Sequence, residues 1–253
     1  MHLEFLEPLN QWKIMLMEKL FSESQYSGNY KHFQKVLRKL EKKGIIQGFR
    51  DLHTRKKFIY ATELGSDLIS EDSNISPNSN SMVHDAKVSE VVYELRNYKK
   101  VNDFELEHIY RGNTQFMPAR NYDKYYPDAV IKVLKKDKEE KIAVELELTQ
   151  KAVGRIQNKF YRFVEGNDIE TVLYLFCNKR VMRKYIEVYK ERFEGKHTGR
   201  FIFYCDPNVL TGKQLFNDPN CFYSFKNYHQ FTKIFGQRLE DDLVTNLEGD
   251  KGV

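Results

Sequence analysis

The sequence predicts a mixed α/β protein built as two domains. From residue 129 onward, apolar strand-like runs alternate with amphipathic helical stretches after an opening hairpin. Before residue 70, helical periodicity gives way to a short hairpin with a charged tip. Between the two lies residues 70–81, polar, rich in Ser and Asn and containing Pro77, which reads as a linker.

In the first domain, residues 9–21 place apolar side chains at helical spacing, and residues 22–28 form a turn. Residues 29–43 predict a second helix. Tyr30, Phe33, Val36, Leu37 and Leu40 mark its buried face, and Gly44 ends it. Residues 45–49 and 57–62 read as strands around a loop at 50–56, and residues 63–69 close the domain as a short helix. The formal net charge of the chain is +5, and its placement is uneven. Residues 27–57 hold ten Lys/Arg against Glu41 and Asp51, so the remainder is slightly acidic. A basic patch confined to one small module points to a polyanionic partner.

Helix, turn, basic helix and a hairpin with a basic tip resemble a winged helix-turn-helix. In that family the basic helix enters the major groove and the wing lies against phosphates. The resemblance makes Lys31, His32, Gln34, Lys35, Arg38 and Lys42 candidates for DNA contact from the helix. Arg55, Lys56 and Lys57 are the candidates on the wing. The plain alternative is a solvated charged face on a small helical bundle.

In the second domain, residues 84–98 predict a helix with Val88, Val91, Val92 and Leu95 on one side. A loop-rich region with short elements runs to Tyr126. Residues 129–134 and 141–148 form a hairpin. Thr149 caps a helix over 150–165, and 171–177 is an apolar central strand. A helix at 181–193, a strand at 200–205 and a last helix at 228–239 complete the domain, with a frayed tail from 248.

The hairpin carries the chemistry. Asp128 stands at the start of its first strand. On the second, strand alternation puts Glu145 and Glu147 on one side and Val144, Leu146 and Leu148 on the other. Carboxylates converging on one site repel unless a cation sits between them, which suggests a hard divalent metal and phosphodiester chemistry. Asp128, Glu145 and Glu147 are the expected ligands of Mg²⁺ or Mn²⁺, with Glu147 also placed to orient or deprotonate the attacking group. Lys151, Arg155, Lys159 and Arg162, at spacings of four, four and three, predict a cationic stripe along the following helix that holds backbone phosphates. Lys151 is the candidate for the positive charge beside the acids, and Glu90 for a further acid. The plain alternative makes Glu145 and Glu147 the solvent face of an edge strand opposite Lys132.

Pro127-Asp128 followed by Glu145-x-Glu147, set in the order helix, hairpin, helix, strand, resembles the restriction-endonuclease-like PD-(D/E)XK nuclease fold. Glu147 stands where lysine is usual in that family. A winged-helix domain joined to such a Glu-x-Glu domain is similar to the MOBC family of plasmid relaxases and to replication-relaxation proteins. The resemblance implies a metal-dependent, site-specific DNA nickase acting on double-stranded DNA at an origin of transfer. It also admits other relaxosome proteins, a coupling protein and a second copy of the chain as partners. The alternative is a non-catalytic DNA-binding relaxosome accessory or replication initiation protein. A transcription regulator with a ligand-sensing domain lacks a Gly-rich or apolar ligand signature.

No apolar run approaches the roughly 20 residues that span a bilayer. The opening Met1-His2-Leu3-Glu4-Phe5 lacks the basic region of a signal peptide. A cytoplasmic protein without membrane insertion is expected. Cys177, Cys205 and Cys221 are then buried free thiols of a reducing compartment.

Overall fold

Lys13 breaks the first helical stretch. In the computed structural model, a 3₁₀ turn (Glu4–Leu6) leads into α1 (Pro8–Trp12), and Lys13 follows with φ 60°. That left-handed residue reverses the chain into β1 (Ile14–Leu16), all three residues of which are buried. The expected single helix over 9–21 is therefore α1, β1 and α2 (Met17–Glu23). Four successive apolar residues, Ile14 to Met17, suit a buried strand as well as a helix, so periodicity could not separate them.

The structure describes residues 3–69, 75–113, 126–136, 138–165, 169–193, 199–217, 222–223 and 231–239. Linker residues 70–74, residues 114–125, Cys221, the start of the expected last helix at 228–230 and the tail from 248 lie outside them.

In α3 (Tyr30–Lys42) the Asn29 side chain accepts the His32 N–H at 2.9 Å as an N-cap, while Phe33, Leu37 and Leu40 are buried. β2 (Ile46–Arg50) and β3 (Lys57–Ala61) pair in register from Ile46–Ala61 to Arg50–Lys57. β1 joins the other side of β3, giving an antiparallel sheet in the order β1-β3-β2. α4 (Glu63–Ile69) packs closely enough that a Cβ on Gly65 would stand 1.8 Å from the Ile45 carbonyl oxygen. Within the expected linker, Ile75 is fully buried and its N–H donates to Ser66 Oγ at 2.9 Å.

The chain forms two compact units, Met1–Glu90 and Val91–Val253, which divide inside α5 (Met82–Leu95). The boundary thus lies further along than the Ser/Asn-rich stretch suggested. The first half of α5 completes the N-terminal unit. Ser89 Oγ donates to the Trp12 carbonyl at 2.9 Å, Lys13 pairs with Asp85 at 2.9 Å, and Ala86 packs with Ile14, Leu16, Phe58 and Tyr60.

The second unit is a six-stranded mixed sheet in the order β4-β5-β6-β7-β8-β9. β4 (Val101–Leu106) and α6 (Glu107–Asn113) fall in the stretch expected to be loop-rich with short elements. The polar sequence of β4 is that of an outer strand, paired on one side only to β5 (Ala129–Lys135). β5 and β6 (Lys138–Glu147) form the predicted hairpin. β6, β7 (Thr171–Phe176) and β8 (Phe201–Cys205) are parallel, linked through α7 (Val153–Glu165) and α8 (Lys179–Phe193). Strands covered on both faces read as continuous apolar runs, as β7 and β8 do. On one face, Tyr174, Phe176, Phe201 and Phe203 meet Ile156 and Phe160 of α7 and Tyr185 and Tyr189 of α8. On the other, Tyr204 packs on Phe216 and Phe231, and Tyr98 on Phe231. After α9 (Asn208–Thr211), the two-residue β9 (Phe222–Tyr223) pairs antiparallel with β8, and α10 (Phe231–Phe235) is the last described helix. Cys177 and Cys205 are buried free thiols. No helix of the described residues is long and apolar enough to cross a membrane.

Candidate functional site

Antiparallel pairing of Ala129 with Val144 sets Asp128 across from Glu145. β6 is an inner strand, and its alternation runs as the sequence suggested, with Val144 and Leu146 buried on the opposite side from the acids. Glu145 lies beside Tyr174 in register and Glu147 beside Phe176, on the face that α7 and α8 cover. Both glutamates are shut off from solvent, at 0% and 1% exposure. They are not a solvent-facing stripe, and Lys132 pairs with Asp103 instead.

A lysine bridges the two glutamates. Lys159 on α7 donates to Glu145 Oε2 at 2.9 Å and to Glu147 Oε1 at 2.5 Å, with about one-fifth of its side chain exposed. Asp128 Oδ2 accepts the Leu146 N–H at 2.7 Å, where β5 has not yet begun to supply ladder partners. Burial works against the Lys159 ammonium, but Glu145, Glu147 and Asp128 outweigh it and raise its pKa above the usual lysine value. Two phenols line the same face. Burial, reinforced by the negative charges of Glu145 and Glu147, raises the pKa of Tyr174, and burial with Glu147 does the same for Tyr185. Both stay neutral. The Tyr185 hydroxyl lies in the field of Glu147 without a hydrogen bond of good geometry to it.

The arrangement corrects the expected cationic stripe. α7 begins at Val153, with the Ala152 carbonyl accepting from Ile156 N–H, so Thr149 does not cap it and Lys151 precedes it. Arg155 is exposed, Arg162 is half-buried, and Lys159 turns inward onto the acids. Lys159, and not Lys151, thus supplies the positive charge beside Glu147. The signal was present in the sequence. Ile156, Phe160 and Phe163 are the core positions of α7, and Lys159 occupies the remaining place in that i, i+3, i+4, i+7 stripe. Glu90 belongs to the N-terminal unit, where it accepts from Lys87 at 2.8 Å.

Carboxylate oxygens such as those of Asp128, Glu145 and Glu147 are donors of the type that suits a hard divalent cation. The arrangement differs from the shared ligand sphere the sequence suggested, because the glutamates are gathered on Lys159. Among the described residues no group of three or more His, Cys, Asp or Glu side chains is set to hold a metal ion.

In the N-terminal unit, Lys31, Lys35, Arg38 and Lys42 are exposed along α3, and Gln34 is half-buried. His32 is exposed, with Nδ1 2.7 Å from the Tyr26 hydroxyl. On the loop after β2, Arg55 is exposed at φ 60° and Lys56 is half-buried. Lys57 is instead engaged with Glu41 at 2.6 Å, which draws it away from the other loop cations. Compared with protein-family models, with curated proteins and with solved structures, the chain matches none of them.

Proposed function

We propose that this protein binds double-stranded DNA at a specific site and nicks one strand, in the manner of a relaxase. Its second unit is then a nuclease-like domain of PD-(D/E)XK type, assisted by Mg²⁺ or Mn²⁺, and its first a winged helix-turn-helix. The observation that carries this reading is the pair of buried glutamates, Glu145 and Glu147, bridged by Lys159, with the Asp128 charge acting on the same ammonium. Each ion taken out of water costs about several kcal/mol even after relaxation. A structural ion pair needs one carboxylate, so two buried glutamates on one lysine favour a working site over a scaffold.

In this reading Glu147 orients or takes a proton from the attacking group, while Lys159 stabilises charge that develops on the phosphoryl oxygens. Asp128 and Glu145 hold a divalent ion that, when bound, polarises the scissile phosphate. Exposed Lys31, Lys35, Arg38 and Lys42 on α3, followed by a hairpin, support groove binding by the first unit.

A second reading has its own support. Lys159 binds one oxygen of each glutamate at once, which suits a non-catalytic accessory or replication initiation protein that keeps a nuclease-like scaffold. Supercoiled plasmid carrying the cognate origin, incubated with the protein and Mg²⁺, Mn²⁺ or EDTA, separates the two. Metal-dependent open circles that disappear in Asp128→Asn and Glu145→Gln support the nickase. Plasmid that is bound yet stays supercoiled under every condition supports the accessory role.

A further inference from the structure

We infer that the second unit carries its own surface for the nucleic-acid backbone, formed by Lys151, Arg155, Lys179, Arg180 and Arg183 where α7 and α8 begin. This surface rests on the DNA-binding part of the reading above and on none of its chemistry. Topology gathers the five residues. β6 and β7 are parallel, so their carboxyl ends lie at one end of the sheet. α7 follows β6 and α8 follows β7, so both helices start there. Arg155, Lys179, Arg180 and Arg183 are exposed, and Lys151 is half-buried. Residues 148–158 and 177–186 hold six Lys or Arg and no Asp or Glu, outside the basic segment of the first domain. The sixth, Lys184, is engaged with Glu187 at 3.2 Å. α7 and α8 pack on each other, and the charges of Arg155 and Glu147 both reach the Tyr185 hydroxyl on α8. The patch therefore adjoins the two glutamates and Lys159.

Stability does not account for these charges. The helix macrodipole is positive at its N-terminal end and favours acids in the first turn. α7 and α8 have no acid there, and Arg155, Lys179 and Arg180 occupy those turns instead. Each cation works against its own helix and against its like-charged neighbours. A polyanion relieves both. Three of the five are Arg, whose planar fork pairs with a phosphate through two hydrogen bonds. Such contacts hold the backbone and carry no base information, so this surface grips a duplex whatever its sequence.

The test is the affinity of the full chain for a fluorescein-labelled random-sequence duplex, followed by anisotropy over a range of NaCl concentrations. Arg180→Gln/Arg183→Gln removes two charges from the start of α8. Lys190→Gln/Arg192→Gln removes two exposed charges from its last turn, about 14 Å away along the axis and beyond the roughly 8 Å screening length of physiological salt. The first pair should weaken binding about tenfold or more and lower the slope of log affinity against log salt by about two. The second should leave both near native. The first should also melt no lower than native, because it takes cations away from the wrong end of a dipole, and a lower melt would assign them to the fold instead. Equal effects of the two pairs, or a native salt slope in the first, would overturn the inference and leave DNA binding by the chain standing. A native chain that binds no duplex would sink the DNA-binding reading and the inference together. Loss of duplex affinity in the first pair, without nicking by any form, would support the inference and sink the nickase reading. If the first pair instead lost native binding to phosphatidylserine vesicles at unchanged duplex affinity, the patch would belong to a membrane surface and the inference would fall.

Discussion

Lys87 of α5 and Asp51 at the base of the β2–β3 loop form an ion pair at 3.4 Å with almost no access to water. Lys87 also donates to Glu90 at 2.8 Å and lies 5.7 Å from the centre of the Phe58 ring. Asp51 in turn shapes the loop, since one of its oxygens accepts the N–H groups of His53 and Thr54. The loop that carries Arg55 and Lys56 is thus anchored through one carboxylate to a lysine on a distant helix.

Replacing Lys87 with Met should destabilise the N-terminal unit by about 3 kcal/mol, because it strands buried carboxylates without their cation. Trp12, the sole tryptophan, is buried in that unit, so its fluorescence reports the unit's unfolding in urea. Lys87→Met/Asp51→Asn should recover part of the loss. A melt of Lys87→Met identical to native would show that the pair contributes nothing.

Acid should loosen the same unit. Burial favours the neutral form of Asp51, but the Thr54 N–H, Lys87 and the His53 N–H prevail and lower its pKa. Burial likewise opposes ionisation of Asp85, and His84, Lys13 and Ser81 lower its pKa despite that. A carboxylate whose pKa is lower when folded stabilises the fold fully above its unfolded value, about 3.9. That stability is lost as pH falls through the folded value. The stability followed by Trp12 should hold steady down to about pH 5 and decline below about pH 4. Asp51→Asn/Asp85→Asn should flatten the decline, and a native curve already falling between about pH 7 and 5 would implicate other groups.

On DNA, the helix and the loop should behave differently. Lys35→Ala/Arg38→Ala should narrow the affinity gap between cognate and random duplex, since the proposed groove binding brings side chains on the helix face to base edges. Arg55→Ala/Lys56→Ala should weaken all duplexes alike and reduce the slope of log affinity against log salt by about two. Lys57→Ala should shift the urea midpoint more than the salt slope, because its partner is Glu41. Unchanged discrimination in the helix variant would place specificity elsewhere in the chain.

Much of the second unit was legible because its signals were local. The hairpin, the apolar strands β7 and β8 and the helices between them follow from pattern alone, as does the shared side of Glu145 and Glu147. β1 and β4 were not legible. β1 takes its identity from pairing with β3 more than forty residues away, and β4 is too polar to announce itself as a strand. The site was half legible. Its acids stood out as a motif, but Lys159 looked like one more surface cation until the core positions around it were fixed. Lys87 was hidden in the same way, four residues ahead of the buried Val91.

α5 serves two masters, and this limits how the chain can be dismantled or recombined. A cut in the Ser/Asn-rich stretch looks like the natural place to separate the halves. It would strip the first of Lys87, Ala86 and Ser89, and with them the partner of Asp51. A cut after Glu90 would instead split a helix whose remaining turn carries Val91, Val92 and Leu95, all fully buried. Neither half is a cassette with clean ends. Any division of the chain must therefore keep α5 whole.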